Sequence, residues 1–288
     1  MKKFAALLLS FAMVLSLAAC GGGSTTTTTD DADGAEDASG GETIVLRASS
    51  STAPDHAYNL GLEKFAELVD EGTNGAVQID IFPNSSLGDE RANIEDLQMG
   101  TLDIAVSSTG PLGNFVSDFL ILDLPFLFTS YEHAHAVLDG EIGQNLIAKL
   151  DDIGIVGGAF WENGFREMTN SIRPINTPED CAGLKLRGMT SDVYIKTFEA
   201  LDAAPIGMQF SELFSALQQG AVDGQDNGML LTYDSKFNEV QGYYTDLGHV
   251  QDVSIIFVSE PVWQSLSADD QALLQQAADE AVEHNRNL

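Results

Sequence analysis

Arginine is scarce in this chain, and its distribution is uneven. Of six arginines (Arg47, Arg91, Arg166, Arg173, Arg187 and Arg286), three fall between positions 166 and 187. A guanidinium is a planar fork that grips a carboxylate through two parallel hydrogen bonds, which a lysine ammonium cannot do. Such a cluster in a chain with 44 Asp+Glu against 13 Lys+Arg therefore points to anion binding. Arg187 is the leading candidate. It closes Gly183-Leu184-Lys185-Leu186-Arg187, and Leu217 to Asn227 ends the same stretch. The competing reading of Arg187 is a structural ion pair with one of the many acidic residues.

Other candidates follow from position. Ser107 and Ser108 end the strand Leu102 to Val106, and the carboxyl end of a parallel strand is where ligands sit in such sheets; a plain turn would use the same residues. His56 closes a polar loop after the first strand, and Trp161 opens the segment to Asn170 that crosses between two lobes. His133 and His135 stand two apart on a helix and point to nearly opposite sides, and His56, His249 and His284 add no ligand spacing, so no metal or cofactor is expected. Glu162, Asp223 and Asp226 could serve as acid and base in an enzyme acting on acidic sugars. No nucleophile elbow, phosphate loop or metal motif accompanies them.

The elements that would position these residues are α/β. Thr43 to Ala48 and Ala76 to Phe82 are rich in β-branched and apolar residues, and Tyr58 to Glu71 between them has apolar positions at helical spacing. Strands that far apart in sequence pair in parallel, with helices on the sheet. A helix ending at Gly100 and the strand Leu102 to Val106 continue the pattern. A further strand runs from Ile153 to Phe160. Thr177-Pro178-Glu179-Asp180 is a capped helix start. Leu184 and Leu186 then face a core while Lys185 and Arg187 share the other face. Asp192 to Leu201 is a helix, Pro205 to Met208 a short strand, and Ser211 caps a helix from Glu212 to Gln219. Leu97-Gln98-Met99-Gly100-Thr101-Leu102-Asp103 is echoed by Leu217-Gln218-Gln219-Gly220-Ala221-Val222-Asp223, each at a helix-to-strand turn, so one supersecondary unit occurs in each lobe. Val253 to Val258 is a strand, and a capped helix from Ser267 runs to Leu288.

The N-terminus is a targeting segment. Lys2 and Lys3 precede the apolar run Phe4 to Leu17, and Leu17-Ala18-Ala19-Cys20 matches a lipoprotein signal. Residues 1–19 are read as the signal peptide, Cys20 as the lipidated residue, and 20–42 as a flexible tether of Gly, Ser, Thr and acidic residues too polar to form a core. Lobe I is assigned to 43–160, with later segments returning to it, and 161–288 mainly to lobe II and a connecting helix. A net charge of −31 with no basic cluster excludes nucleic acid as a partner.

Ser86-Leu87-Gly88-Asp89-Glu90-Arg91, Asp123-Leu124-Pro125-Phe126-Leu127-Phe128, Gly164-Phe165-Arg166, Arg173-Pro174-Ile175, Gly183 to Arg187 and Leu217 to Asn227, in that order, resemble the dicarboxylate-binding type of substrate-binding subunit of tripartite ATP-independent periplasmic (TRAP) transporters. Lys236 to Gln241 and Trp263 to Ser267 extend the likeness, which covers nearly everything from Thr43 onward. The resemblance implies a two-lobed periplasmic-binding-protein-like fold, each lobe a mixed sheet flanked by helices, with the ligand in the interlobe cleft. It implies that Arg187 forms the main salt bridge to an organic acid, that Arg166 assists and that Asn227 hydrogen-bonds the same carboxylate. It implies delivery of a C4-dicarboxylate, sugar acid or keto acid to small and large integral-membrane subunits by a non-enzymatic protein, extracytoplasmic and held to the membrane by lipid. A ligand-sensing lipoprotein is the alternative. Gly228 stands where the family commonly has proline, and the family's closing C-terminal segment is expected beyond Leu288.

Overall fold

The computed structural model describes residues 43–288, so the signal, Cys20 and the tether lie outside the described residues. The first unit runs β1 (Ile44–Ser49), α1 (Ala57–Gly72), β2 (Val77–Phe82), α2 (Glu90–Met99), β3 (Ile104–Ser108), with β1 pairing in parallel to both β2 and β3. Short helices follow at α3 (Thr109–Leu112), α4 (Tyr131–Leu138) and α5 (Glu141–Ile147). The long strand β4 (Ile155–Asn170) leads to a second unit: β5 (Lys185–Gly188), α6 (Asp192–Glu199), β6 (Ala204–Gly207), α7 (Phe210–Gln219), β7 (Gly224–Gly228), with β5 parallel to both β6 and β7. The chain ends through α8 (Met229–Asp234), β8 (Tyr243–Thr245), β9 (Gln251–Ser259), α9 (Glu260–Ser265) and α10 (Ala268–Arg286).

The strand order β2-β1-β3-β9-β4-β7-β5-β6 places the two parallel units at opposite ends, joined by antiparallel β9 and β4. The repeat expected from Leu-Gln-x-Gly-x-x-Asp is therefore a repeat of structure. Gly100 and Gly220 cap α2 and α7 at φ 70° and 69°, a left-handed turn that a side chain resists. Past each turn an aspartate accepts from a neighbouring strand: Asp103 from the Arg47 backbone N–H at 2.7 Å, Asp223 from that of Lys185 at 2.8 Å.

Each half has its own core, which makes the molecule two-lobed. In the first, Leu62, Phe65 and Val69 of α1 meet Leu274, Ala277 and Ala281 of α10 over Ile104, Val106 and Trp161. The sheet's other face is covered by Ile94, Leu97, Phe119 and Leu150 against Ile255 and Phe257. In the second, Met168, Leu184, Leu186 and Phe198 lie on one side, and Leu213, Leu217, Val222 and Phe237 on the other. Burying each large apolar side chain stabilises the fold by about 1.5–3 kcal/mol before entropy is counted.

Three local expectations are revised. The strand expected to end at Phe160 continues to Asn170, because its second half finds new partners in β7 and β8 after leaving β9. The turn after Thr177 is 3-10 over Pro178–Cys181, with Asp180 Oδ2 accepting from the Thr177 N–H at 2.9 Å. Helix α7 begins at Phe210 with Gln209, not Ser211, in the capping position.

Candidate functional site

β5 and β7 end side by side, and β5 brings Arg187 to the space between the lobes. Arg187 is 3% exposed. Among the described residues its only hydrogen bond runs from Nε to the carbonyl of Met208 at 3.0 Å, and no carboxylate lies within ion-pair distance. Burial, then the neighbouring Arg166 charge, lowers its pKa to about 10, so it stays cationic at neutral pH. A buried guanidinium with its fork unclaimed is prepared for an anion from outside the chain.

Arg166 is in the opposite condition. Its Nε donates to Asp226 Oδ2 at 2.8 Å, one terminal nitrogen to Asp252 Oδ2 at 2.5 Å and the other to the Asp226 carbonyl. Its guanidinium carbon lies 5.0 Å from the centre of the Tyr194 ring. Its positive charge, with His249 Nε2 3.3 Å from Oδ2, outweighs burial and holds the Asp226 carboxyl well below the usual range. Asp252 goes the other way, raised because burial outweighs the same arginine.

These residues belong to a longer buried chain. His56 Nδ1 accepts from the Tyr58 N–H at the start of α1, and its Nε2 meets Asn163 Oδ1 at 3.0 Å. Asn163 donates to Asp252 Oδ2 at 3.0 Å. Burial lowers the His56 pKa to about 4, so the ring is neutral and its tautomer is set by these two partners. The chain fixes β4 and β9 to each other where they pass between the lobes.

The cavity beside Arg187 is nearly closed, with a free space of about 20 Å³, enough for one water. The second lobe contributes Arg187, Arg166, Asn227, Met189, Phe210 and Leu231; the first contributes Ser51, Thr52, Tyr58, Glu90 and Ser108, with Asn163 and Asp252 between. Asn227 gives one amide hydrogen to Gln225 Oε1 and keeps the other. Tyr58 Oη is buried with no hydrogen-bond partner. Glu90 accepts at Oε1 from the Ser108 backbone N–H at 2.9 Å, and burial pushes its pKa to about 7. The lobes also touch directly. Asn114 Nδ2 donates to the Thr190 carbonyl at 2.7 Å, and Asp123 accepts from Thr109 at 2.8 Å on one oxygen and Ser191 at 3.5 Å on the other.

Of the sequence candidates, Arg187, Arg166, Asn227 and Ser108 line this cavity, and Ser107, Trp161 and His56 do not. Ser107 turns its hydroxyl to the Ser108 carbonyl at 3.1 Å, on the face away from the cleft. Trp161 sits in the first-lobe core against Gly61. His56 acts from behind, through Asn163. Glu90, Tyr58, Asn163 and Asp252 were missed. An aspartate directly before the apolar run Val253 to Val258 was the available signal, since a charge entering a buried strand needs a partner. A larger groove, lined by residues such as Leu124, Phe126, Ile175, Val193 and Leu201, is mainly apolar and contains no arginine.

Comparison with known proteins covers nearly all of the described chain. Residues 48–288 match the profile of bacterial extracellular solute-binding protein, family 7 (DctP). The C4-dicarboxylate-binding periplasmic protein DctP of Rhodobacter capsulatus is 39% identical over 250 residues, covering 86% of this chain and 74% of the relative. The crystal structure of a TRAP periplasmic solute-binding protein from Polaromonas sp. JS666, bound to D-erythronate, superimposes with a TM-score of 0.83 at 43% identity, covering 85% of this chain and 80% of that one. A counterpart from Sulfurospirillum deleyianum with bound succinate gives 0.82 at 36% identity, over 85% and 79%.

Proposed function

The chain belongs to family 7 of the bacterial extracellular solute-binding proteins, and from that premise we propose that it captures an organic acid through a salt bridge between the acid's carboxylate and Arg187. It is the binding subunit of a transporter, not an enzyme. The observation that carries the proposal is the buried guanidinium of Arg187, without a carboxylate partner among the described residues, at the wall of the interlobe cavity. A ligand carboxylate would complete its fork. The second amide hydrogen of Asn227 would reach the same group, and Arg166 would add positive potential while remaining tied to Asp226 and Asp252.

Charge-assisted hydrogen bonds contribute about 1.5–3 kcal/mol each, so a two-pronged bond with one helper supplies a large part of a micromolar affinity, about −8 kcal/mol. Closing the lobes excludes water and strengthens every one of these bonds. The closed face would then be offered to small and large integral-membrane subunits of a TRAP transporter. Acyl chains on Cys20 would keep the protein near them, two or more chains being needed for durable attachment. Among the described residues no helix is long and apolar enough to cross a membrane.

Calorimetry against a panel of organic acids tests the proposal. Arg187→Ala is expected to weaken binding at least 100-fold, and Arg187→Lys nearly as much, with both variants folded. Wild-type affinity in Arg187→Ala would overturn it.

A further inference from the structure

We propose that the cleft selects a hydroxylated monocarboxylate, an acid of the aldonate type, over a dicarboxylate, and that Glu90 is the residue that makes the selection. The proposal rests on Arg187 being the carboxylate anchor and adds what the opposite wall demands.

Charge and hydrogen-bonding groups are unequally divided between the two walls of the cavity. Its described lining holds two cations, and one of them, Arg166, is already matched by Asp226 and Asp252. That leaves Arg187 for a single carboxylate. Across from it stand the hydroxyls of Ser51, Thr52, Tyr58 and Ser108 with the carboxyl of Glu90, and no lysine or further arginine. A second ligand carboxylate placed there would be desolvated with no cation to meet and with Glu90 beside it, a like-charge pairing in a site of low dielectric.

A hydroxylated tail meets the same wall differently. A ligand hydroxyl both donates and accepts. It can donate to Glu90 Oε2, which the Ser108 hydroxyl approaches at 3.4 Å, the sister oxygen being taken by the Ser108 N–H at 2.9 Å. It can accept from Tyr58 Oη, a buried donor with the Ser254 hydroxyl nearby but no hydrogen bond of good geometry among the described residues. Burial, which pushes Glu90 to about 7, adds a second mode, since the protonated carboxyl can itself donate. Either form suits a hydroxyl, whereas the ionised form rejects a carboxylate. Arg187 reaches only one end of a ligand, so Glu90 and its neighbours decide what the other end is.

The test compares acids of equal length by calorimetry at pH 7.5: D-erythronate with succinate, and a six-carbon aldonate with adipate. In the wild type at least one aldonate is expected to bind ten-fold or more tighter than its dicarboxylate partner. Glu90→Gln removes the charge with little change of shape and is expected to shrink that ratio at least five-fold, while Glu90→Asp, which keeps the charge, preserves the direction of the preference. Thermal melts establish that each variant is folded. Equal or tighter binding of the dicarboxylates by the wild type overturns the proposal, as does an unchanged ratio in Glu90→Gln. If Arg187→Ala abolishes binding of every acid while Glu90→Gln leaves the ratio alone, the anchor stands and the selection falls. If Arg187→Ala binds like the wild type, the anchor itself falls, and this proposal with it.

Discussion

Arg166 and Arg187 stand close together and do opposite things for the folded state. Removing Arg166 would strand two buried carboxylates, Asp226 and Asp252, so Arg166→Ala is expected to cost about 3–5 kcal/mol in chemical denaturation. Arg187 is a buried charge without a carboxylate partner, and Arg187→Ala should leave the ligand-free stability unchanged or higher. A reversed order would show that the roles of the two are misassigned. The side chains around them also respond to pH with opposite signs. Glu90 titrates near 4.5 when unfolded and about 7 when folded, so the native state binds the extra proton between those values and loses stability as pH rises through them. His56 falls from 6.5 to about 4, so its contribution is complete above 6.5 and is lost as pH falls toward 4. Comparing Glu90→Gln with wild type cancels the histidine. The melting temperature of the variant should exceed that of the wild type by several degrees at pH 8, and the gap should close near pH 4.5; a gap independent of pH would contradict this assignment. The arginine cluster was legible in the sequence. The neutralisation of Arg166 was not, because its partners lie 60 and 86 positions further along and meet it only through the sheet.

At the scale of elements, periodicity and caps located most helices and strands, and the Leu-Gln-x-Gly-x-x-Asp echo correctly marked equivalent turns. The limits were physical. Whether β4 stops at Phe160 or continues to Asn170 depends on partners from β7, β8 and β9, none of them local. Ser107 and Ser108 look alike in sequence, but strand alternation sends one hydroxyl to the cleft and the other away. Trp161 was placed by adjacency to the crossing segment, and the same alternation turns it onto Gly61, where an added Cβ would come within 2.7 Å of the ring. Between the lobes, Asn114 and Asp123 of the first meet Thr190 and Ser191 of the second, so the segment that follows α3 and the two residues before α6 carry contacts that must part when the cleft opens.

For the whole molecule, a net charge of −31 is a field that an anionic ligand approaches against. The favourable electrostatics are confined to the few ångströms around Arg187, beyond which the protein repels its ligand. Salt screens the distant repulsion, with a Debye length of about 10 Å at 0.1 M, more than it weakens a buried bond. The association rate for an organic acid, followed by stopped flow, should therefore rise between low and moderate ionic strength. A falling rate would mean that some local positive surface steers the ligand.

The path of the chain through the sheet also sets an order of assembly. All strands of the second lobe come from one continuous stretch, Arg166 to Thr245, and that lobe can complete itself as soon as the stretch exists. The first lobe is begun earliest and finished last, because β3 lacks its partner until Gln251–Ser259 has been made, and α1 lacks its cover until α10 follows. During synthesis the leading half of the polypeptide therefore remains an open, unfinished sheet for most of its existence. For an extracytoplasmic chain that passes through a membrane before it folds, this delay keeps the part that emerges first threadable until β9 and α10 have followed it.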